Sequence, residues 1–134
     1  EKLGATKESE VRDSIAAARM QTDPVNSREI ILAGTGDVLC YDIFSGRYFQ
    51  SSKNEILAAE NVVNLEIVNG MSCSLSRFYD EIGLPPNGMS DETGFNANRM
   101  CKVRFSAQVS SDGRPCLAID FFESPAYGYS KLWD

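Results

Sequence analysis

The chain of 134 residues contains no histidine, and this absence excludes several classes of function. Without imidazole there is no Ser-His-Asp or Cys-His nucleophile, no histidine general base and no mixed Cys/His zinc site. Basic residues are also scarce: 13 Lys and Arg stand against 19 Asp and Glu, for a net charge of -6. A broad nucleic-acid surface needs a basic stripe, so nucleic acid is not an expected partner.

Long apolar runs are missing too. No stretch of about 18 apolar residues is present, so the sequence predicts no membrane span within it. The first residue is Glu1 rather than Met, and we expect a further segment to precede it. No two of the four cysteines have C-x-x-C spacing, which disfavours a zinc ribbon or a redox motif. We predict four buried free thiols in a reducing compartment, at Cys40, Cys73, Cys101 and Cys116.

What the chain does have is an ordinary globular composition, with 43% hydrophobic and 24% charged residues. Residues 6–21 predict a helix whose apolar stripe is thin, formed by Val11, Ile15, Ala18 and Met20. A stripe this narrow is typical of a peripheral helix or a stalk. We therefore predict a peripheral or stalk helix at 1–24 and a single α+β domain at 25–134.

The first half of that domain predicts strands followed by helices. Strands are expected at 29–34, 37–44 and 47–50, the last two as a hairpin. Ser52 and Glu55 match a capping box, which predicts a helix from there to about residue 68. Asn69-Gly70 is expected to cap its end.

A shorter helix is predicted at 75–82, opened by Ser74 and closed by Gly83. Residues 87–99 are rich in turn formers and carry few apolar side chains, so we expect a surface loop there.

Strict alternation over residues 100–110 predicts a strand with one buried face, and 115–122 predicts its partner. A three-residue loop at 111–113 pairs 105 with 119 and 107 with 117, so that apolar residues meet one another. Gly113 is then expected in a left-handed bulge. Arg104 faces Asp120 on the polar side, and Cys101 and Cys116 lie on opposite faces.

Two hairpins and about three helices in mixed order define the predicted fold class: α+β, with an antiparallel sheet covered by helices on one side.

No constellation for catalysis, metal or cofactor binding emerges, so we expect no catalytic residue, no metal ligand and no cofactor. Gly34-x-Gly36 lacks the helix and the lysine that a phosphate loop needs. The alternative is a carboxylate- or metal-dependent hydrolase built on Asp80, Asp91 and Asp120, which would have to converge from separate segments.

Aromatic and arginine side chains are the candidates for protein contact, because both types are favoured at interfaces. On the 75–82 helix these are Arg77 and Tyr79, and in the C-terminal tail they are Tyr127, Tyr129 and Trp133. The alternative is that the aromatic residues fill the core and that the terminal tryptophan docks on the domain.

Three blocks of sequence together resemble a family of uncharacterised phage and prophage proteins from Gram-positive bacteria. They are 39–49 (LCYDIFSGRYF), 74–85 (SLSRFYDEIGLP) and 94–117, which holds Gly94-Phe95-Asn96 and the 112–117 run DGRPCL. The family usually has Gly-Trp-Asn where this chain has Gly94-Phe95-Asn96. The resemblance covers roughly residues 10–130 and implies no catalytic residue, since the family has no established activity.

The resemblance also implies an architecture in which hydrophobic N-terminal segments precede the domain. We therefore expect a phage- or prophage-encoded, non-enzymatic domain of a membrane-anchored protein, tethered through a segment upstream of Glu1. Free thiols favour the cytoplasmic side of the host membrane. The expected partner is a phage or host protein, and a structural virion or assembly component is a further alternative.

Overall fold

In the computed structural model the described residues are 2–22, 30–32 and 36–130, and they form four helices and two sheets. The helices are α1 (Lys2–Thr22), α2 (Lys53–Gly70), α3 (Leu75–Ile82) and α4 (Gly88–Glu92). The strands are β1 (Ile31–Leu32), β2 (Val38–Asp42), β3 (Arg47–Ser51), β4 (Ser72–Ser74), β5 (Thr93–Asn96), β6 (Val103–Val109), β7 (Pro115–Phe121) and β8 (Ala126–Tyr127). The predicted α+β fold class is confirmed.

The larger sheet has five strands in the order β1-β3-β2-β7-β6. Its two hairpins, β2–β3 and β6–β7, are the two that the sequence predicts. They join through β2 and β7, which run parallel, and β1 also pairs with β3 in parallel. The sheet is therefore mixed rather than wholly antiparallel. The parallel pairs join strands that are distant in the chain, and the alternation of residues within one strand does not predict which distant strand it pairs with.

The predicted register of the β6–β7 hairpin is confirmed. Phe105 pairs with Ile119, and Ala107 pairs with Leu117. Gly113 closes the loop with a φ of 86°, in the left-handed region that favours glycine. Cys101 and Cys116 lie on opposite faces of the sheet, as this register requires.

Helices cover both faces of the sheet, so the expectation of one covered face is wrong. The helices α2 and α3 bury one face through a core in which Phe49, Ile56 and Phe78 are fully buried. On the other face α1 contributes Ala16 and Met20 to a smaller cluster with Tyr41, among others.

The helix α1 packs with a different side from the one its apolar pattern suggests. Val11 and Ile15 are about half exposed, at 57% and 48%, and Ala18 is exposed as well. The side that faces the sheet is mixed: Met20 of the predicted stripe is buried there, and polar groups of α1 bind the arginine, serine and glutamine side chains of β6. Apolar burial and hydrogen bonding together therefore set the orientation of α1. The division of the chain at residue 24 stays a prediction.

The segment 87–99 contains regular structure, so the predicted surface loop is wrong. Asn87 caps α4, and all four residues of the following strand β5 are buried. This strand joins β4 and β8 in the smaller antiparallel sheet. Gly94 permits the close approach of β5 to β4, because a Cβ at this position would lie 2.3 Å from the carbonyl oxygen of Cys73. Tertiary pairing therefore outweighs the weak local pattern.

Both ends of α2 are capped. The Ser52 hydroxyl accepts a hydrogen bond from the Glu55 amide, and the Glu55 carboxylate accepts one from the Ser51 hydroxyl at 2.8 Å. The helix ends at Gly70, two residues later than expected, and its left-handed cap at a φ of 76° is Met71 rather than Asn69-Gly70. Gly83 caps α3 at the predicted position.

Candidate functional site

The outer edge of β6 lies on the border of the five-stranded sheet. Backbone groups of even-numbered residues face β7, since Phe122 donates to the Lys102 carbonyl and Ser110 to the Arg114 carbonyl. In an antiparallel pair the alternate residues then point their N–H and C=O groups away from the partner. The outward groups belong to Val103, Phe105, Ala107 and Val109.

Only the start of this edge is occupied. The Val103 amide donates to the Glu60 carboxylate of α2 at 2.6 Å. Within the described residues, no backbone partner is seen for the outward groups of Phe105, Ala107 or Val109. Val109 is 68% exposed and Ala107 is exposed, so a stretch of apolar strand edge is open to solvent. Such an edge is a ready template for another strand.

A groove of about 550 Å³ surrounds the first part of this edge. Residues of α1 form one wall and residues of α2 form the other, with β6 between them. We call this the edge groove, and its lining includes Ser9, Arg12, Lys53, Leu57, Phe105 and Phe122. A second hollow, of about 250 Å³, lies between the C-terminal half of α1 and residues 108–111. A hollow therefore lies at each end of the open edge.

Charged side chains in the edge groove differ in how well they are paired. Arg12 lies 3.1 Å from Glu8 and 3.9 Å from Asp120, and it donates to the carbonyl of Phe122. The Lys53 ammonium lies 5.0 Å from the centre of the Phe105 ring, a cation–π contact. Across the described residues, Lys53 has no carboxylate partner.

Arg104 also lines the groove, and it is only 7% exposed. Its Nη2 donates to Asp13 at 2.8 Å and to the Ser9 hydroxyl at 2.7 Å, whereas its buried Nη1 has no partner among the described residues. The hydrogen bond from Ser106 and that from Arg104 lower the pKa of Asp13. Arg104 pairs with Asp120 in register, but its ion pair is with Asp13 because α1 brings that carboxylate over the strand.

A second polar cluster lies inside the core, where β2 turns into β3. Asp42 is fully buried, and its Oδ2 accepts hydrogen bonds from the hydroxyls of Tyr79 and Ser45, each at 2.6 Å. Arg47 donates to the Ser45 hydroxyl at 2.9 Å and to the carbonyl of Pro85. Burial raises the pKa of Asp42 despite these donors. The cluster ties the first hairpin to α3 and to the segment after it.

The residues of this cluster belong to the first two blocks on which the family resemblance rests. Sequence reasoning gave Asp42, Ser45 and Arg47 no role. A local signal was nevertheless present: an aspartate ends an otherwise apolar strand, and a serine follows three residues later. In this arrangement the aspartate side chain can accept a hydrogen bond from the serine backbone N–H and stabilise the turn.

The predicted contact residues do not form one surface. Tyr79 is fully buried, whereas Tyr127 is 79% exposed. Arg77 is held by three carboxylates of its own surroundings, those of Glu66, Asp80 and Glu81.

Tyr129 lies partly buried near Ser74, and burial raises the pKa of its hydroxyl. Trp133 lies outside the described residues. None of the four residues that the structure describes lies in the edge groove.

The three carboxylates of the hydrolase alternative are held by different partners. Asp80 pairs with Arg77, Asp91 accepts from Ser76, and Asp120 lies near Arg12. Across the described residues, no group of three or more Asp, Glu or Cys side chains is arranged to hold a metal ion.

Together these observations define the molecule as an α+β domain with an open sheet edge in a groove between two helices. The chain belongs to a family of unknown function, DUF6353, whose model matches residues 1–130. Comparisons with curated proteins and with solved structures gave no significant match. No helix among the described residues is long and apolar enough to cross a membrane.

Proposed function

We propose that this domain is a non-enzymatic protein-binding module that receives an extended segment of a partner protein on the open edge of β6. The observation that carries the proposal is the run of outward backbone groups at Phe105, Ala107 and Val109, for which the described residues provide no backbone partner. An added strand gains main-chain hydrogen bonds from such an edge, and side-chain pockets beside it supply selectivity.

The edge groove fits this role because its two walls lie on opposite faces of the sheet. Side chains of an added strand alternate between the faces. Alternate residues of the partner would therefore contact α1 and Arg12 on one side, and Lys53, Leu57 and Phe105 on the other.

The biological setting is part of the same proposal. The resemblance to phage and prophage proteins of Gram-positive bacteria supports a phage-encoded domain, anchored to the host membrane by a segment upstream of Glu1. It also supports a position on the cytoplasmic side, with a phage or host protein as partner. No observation favours the hydrolase alternative, since Asp80, Asp91 and Asp120 are engaged separately.

A selection of random twelve-residue peptides displayed on a carrier, with the domain immobilised, provides ligands for the test. Binding of an enriched peptide is then measured with Ala107→Pro, which removes an outward N–H but no hydrogen bond to β7. We expect the Kd to rise at least about tenfold, because one main-chain bond is lost and the added strand is displaced. Ala107→Ser keeps the N–H and is the matched control, with a change of less than about twofold.

Hydrogen exchange gives an independent readout that does not depend on the proline variant. Binding should slow the exchange of the outward amides of Phe105, Ala107 and Val109, while the inward amides of Arg104 and Ser106 change little. Absence of enriched peptides, or protection without this alternation, would contradict strand addition.

A further inference from the structure

The polar groups of the edge groove that lack partners indicate the chemistry of the bound segment. Lys53 has an ammonium group with no carboxylate among the described residues, and it lies against the Phe105 ring. Arg104 has a buried Nη1 for which the described part of the chain supplies no acceptor. Both are donors, and both line the edge groove.

Other cations near the groove are already matched. Arg12 has Glu8 and Asp120 within 4 Å, and the Nη2 of Arg104 has Asp13. Within the part of the chain that the structure describes, the groove donors left without an acceptor are therefore Lys53 and the Nη1 of Arg104. A ligand that supplies acceptors, and above all a negative charge near Lys53, would complete it.

We infer that the segment bound at β6 is acidic, with a carboxylate side chain placed on the α2 face of the sheet to pair with Lys53. The inference rests on the proposed function, because it assumes that the segment lies extended along β6. Alternation fixes the arrangement: a residue whose side chain points to the α2 face meets Phe105 and Lys53, and its neighbours point to α1.

The selected peptides test this inference directly. We expect Asp or Glu to be enriched at one position of the aligned peptides. Replacing that residue by Gln in a synthetic peptide should weaken binding about fivefold, the upper range for an exposed ion pair, and replacing it by Lys should weaken binding further. The loss should shrink as salt is raised, because added ions screen an exposed pair.

The variant Lys53→Gln tests whether Lys53 is the side chain that pairs with the carboxylate of the peptide. It should remove the difference in affinity between the Glu and Gln peptides, because the carboxylate then has no ammonium group to pair with. Lys102→Gln is the matched control: it removes the same charge from an exposed lysine that does not line the groove, and the discrimination should persist.

The outcomes separate the inference from the proposed function. Peptides that protect the β6 amides but show no preference for Glu over Gln would overturn the acidic segment and leave strand addition standing. No binding at the edge would overturn both. A dimer in light scattering that Ala107→Pro dissociates would mean that a second copy of this chain occupies the edge, and the acidic partner would be rejected.

Discussion

The hydroxyl of Tyr79 donates a 2.6 Å hydrogen bond to Oδ2 of Asp42, and both side chains are fully buried. Tyr79 lies on α3 and Asp42 at the end of β2, 37 residues earlier, so the bond joins two distant parts of the core. Arg47 lies with its guanidinium carbon 4.9 Å from the centre of the Tyr79 ring. Tyr79 therefore stabilises the core in two ways: its ring contacts Arg47, and its hydroxyl binds Asp42.

Removing only that hydroxyl, by Tyr79→Phe, should lower the free energy of unfolding by about 1–3 kcal/mol. Stability is lost because Asp42 stays buried but has one hydrogen-bond donor fewer. Urea unfolding at neutral pH measures it. Tyr127→Phe is the matched control, since Tyr127 is 79% exposed, and a change above about 0.5 kcal/mol there would undermine the comparison.

Asp42 should make stability depend on pH in the direction opposite to most carboxylates. Burial raises its pKa in the folded protein, so the native state holds the proton to a higher pH than the unfolded chain. The contribution of this group to stability is thus greatest at low pH and falls as pH rises through the native pKa. Relative to Asp42→Asn, the wild type should gain stability as pH is lowered from 7 to 4. A constant difference would contradict a raised pKa.

Asp13 should show the reverse dependence. Hydrogen bonds from Ser106 and Arg104 lower its pKa, so its contribution is present above the ordinary value of 3.8 and is lost as pH falls through the native value. Asp13→Asn should therefore be less stable than the wild type at pH 7, with a difference that shrinks towards pH 2 in urea unfolding. Ser106→Ala removes the larger cause of the lowered pKa, so the pKa of Asp13 should rise. The stability that Asp13 contributes should then be lost at a higher pH.

The features that the sequence predicted are those set by neighbouring residues. Alternation through β6 and β7, with Gly113 at the loop, fixes the hairpin register without knowledge of the rest of the chain. The capping serines at 52 and 74 likewise locate the starts of α2 and α3. Such signals lie within one helix terminus or one hairpin of the chain.

Features that depend on distant partners were missed. The buried strand β5 is built from Thr-Gly-Phe-Asn, which shows no alternation, and it is buried because β4 and β8 pair with it. The orientation of α1 depends in part on the polar side chains of β6, about 90 residues away.

The candidate site belongs to the same group. Outward backbone groups on β6 become visible only when the strand order shows that β6 is at the border of the sheet. Lys53 and Phe105 are brought together by the packing of α2 on the sheet, which no local pattern encodes.

The four cysteines should resist modification in the native protein. All are buried and free, and burial raises the pKa of Cys40 to about 11 and those of Cys73 and Cys116 to about 12. Because the thiolate is the reactive form, alkylation by iodoacetamide at pH 8 should be at least about 100-fold slower than in denaturant. Ser111→Cys adds an exposed thiol and should react at once, detected by mass spectrometry. Fast labelling of a native cysteine would show that its part of the core opens readily.

The left-handed conformation of Gly113 gives the sharpest test of the hairpin. Gly113→Ala places a Cβ in open space, with no atom within 4 Å, so any loss of stability comes from the backbone conformation alone. A φ of 86° should cost about 1–2 kcal/mol for alanine. Gly70→Ala is the matched control, because its Cβ also meets nothing but its φ is not left-handed, and better helix propensity should make it neutral or stabilising. If urea unfolding gave the two variants equal stability, Gly113 would not hold the conformation on which the three-residue loop depends, and the register that leaves Phe105, Ala107 and Val109 facing outward would lose its support.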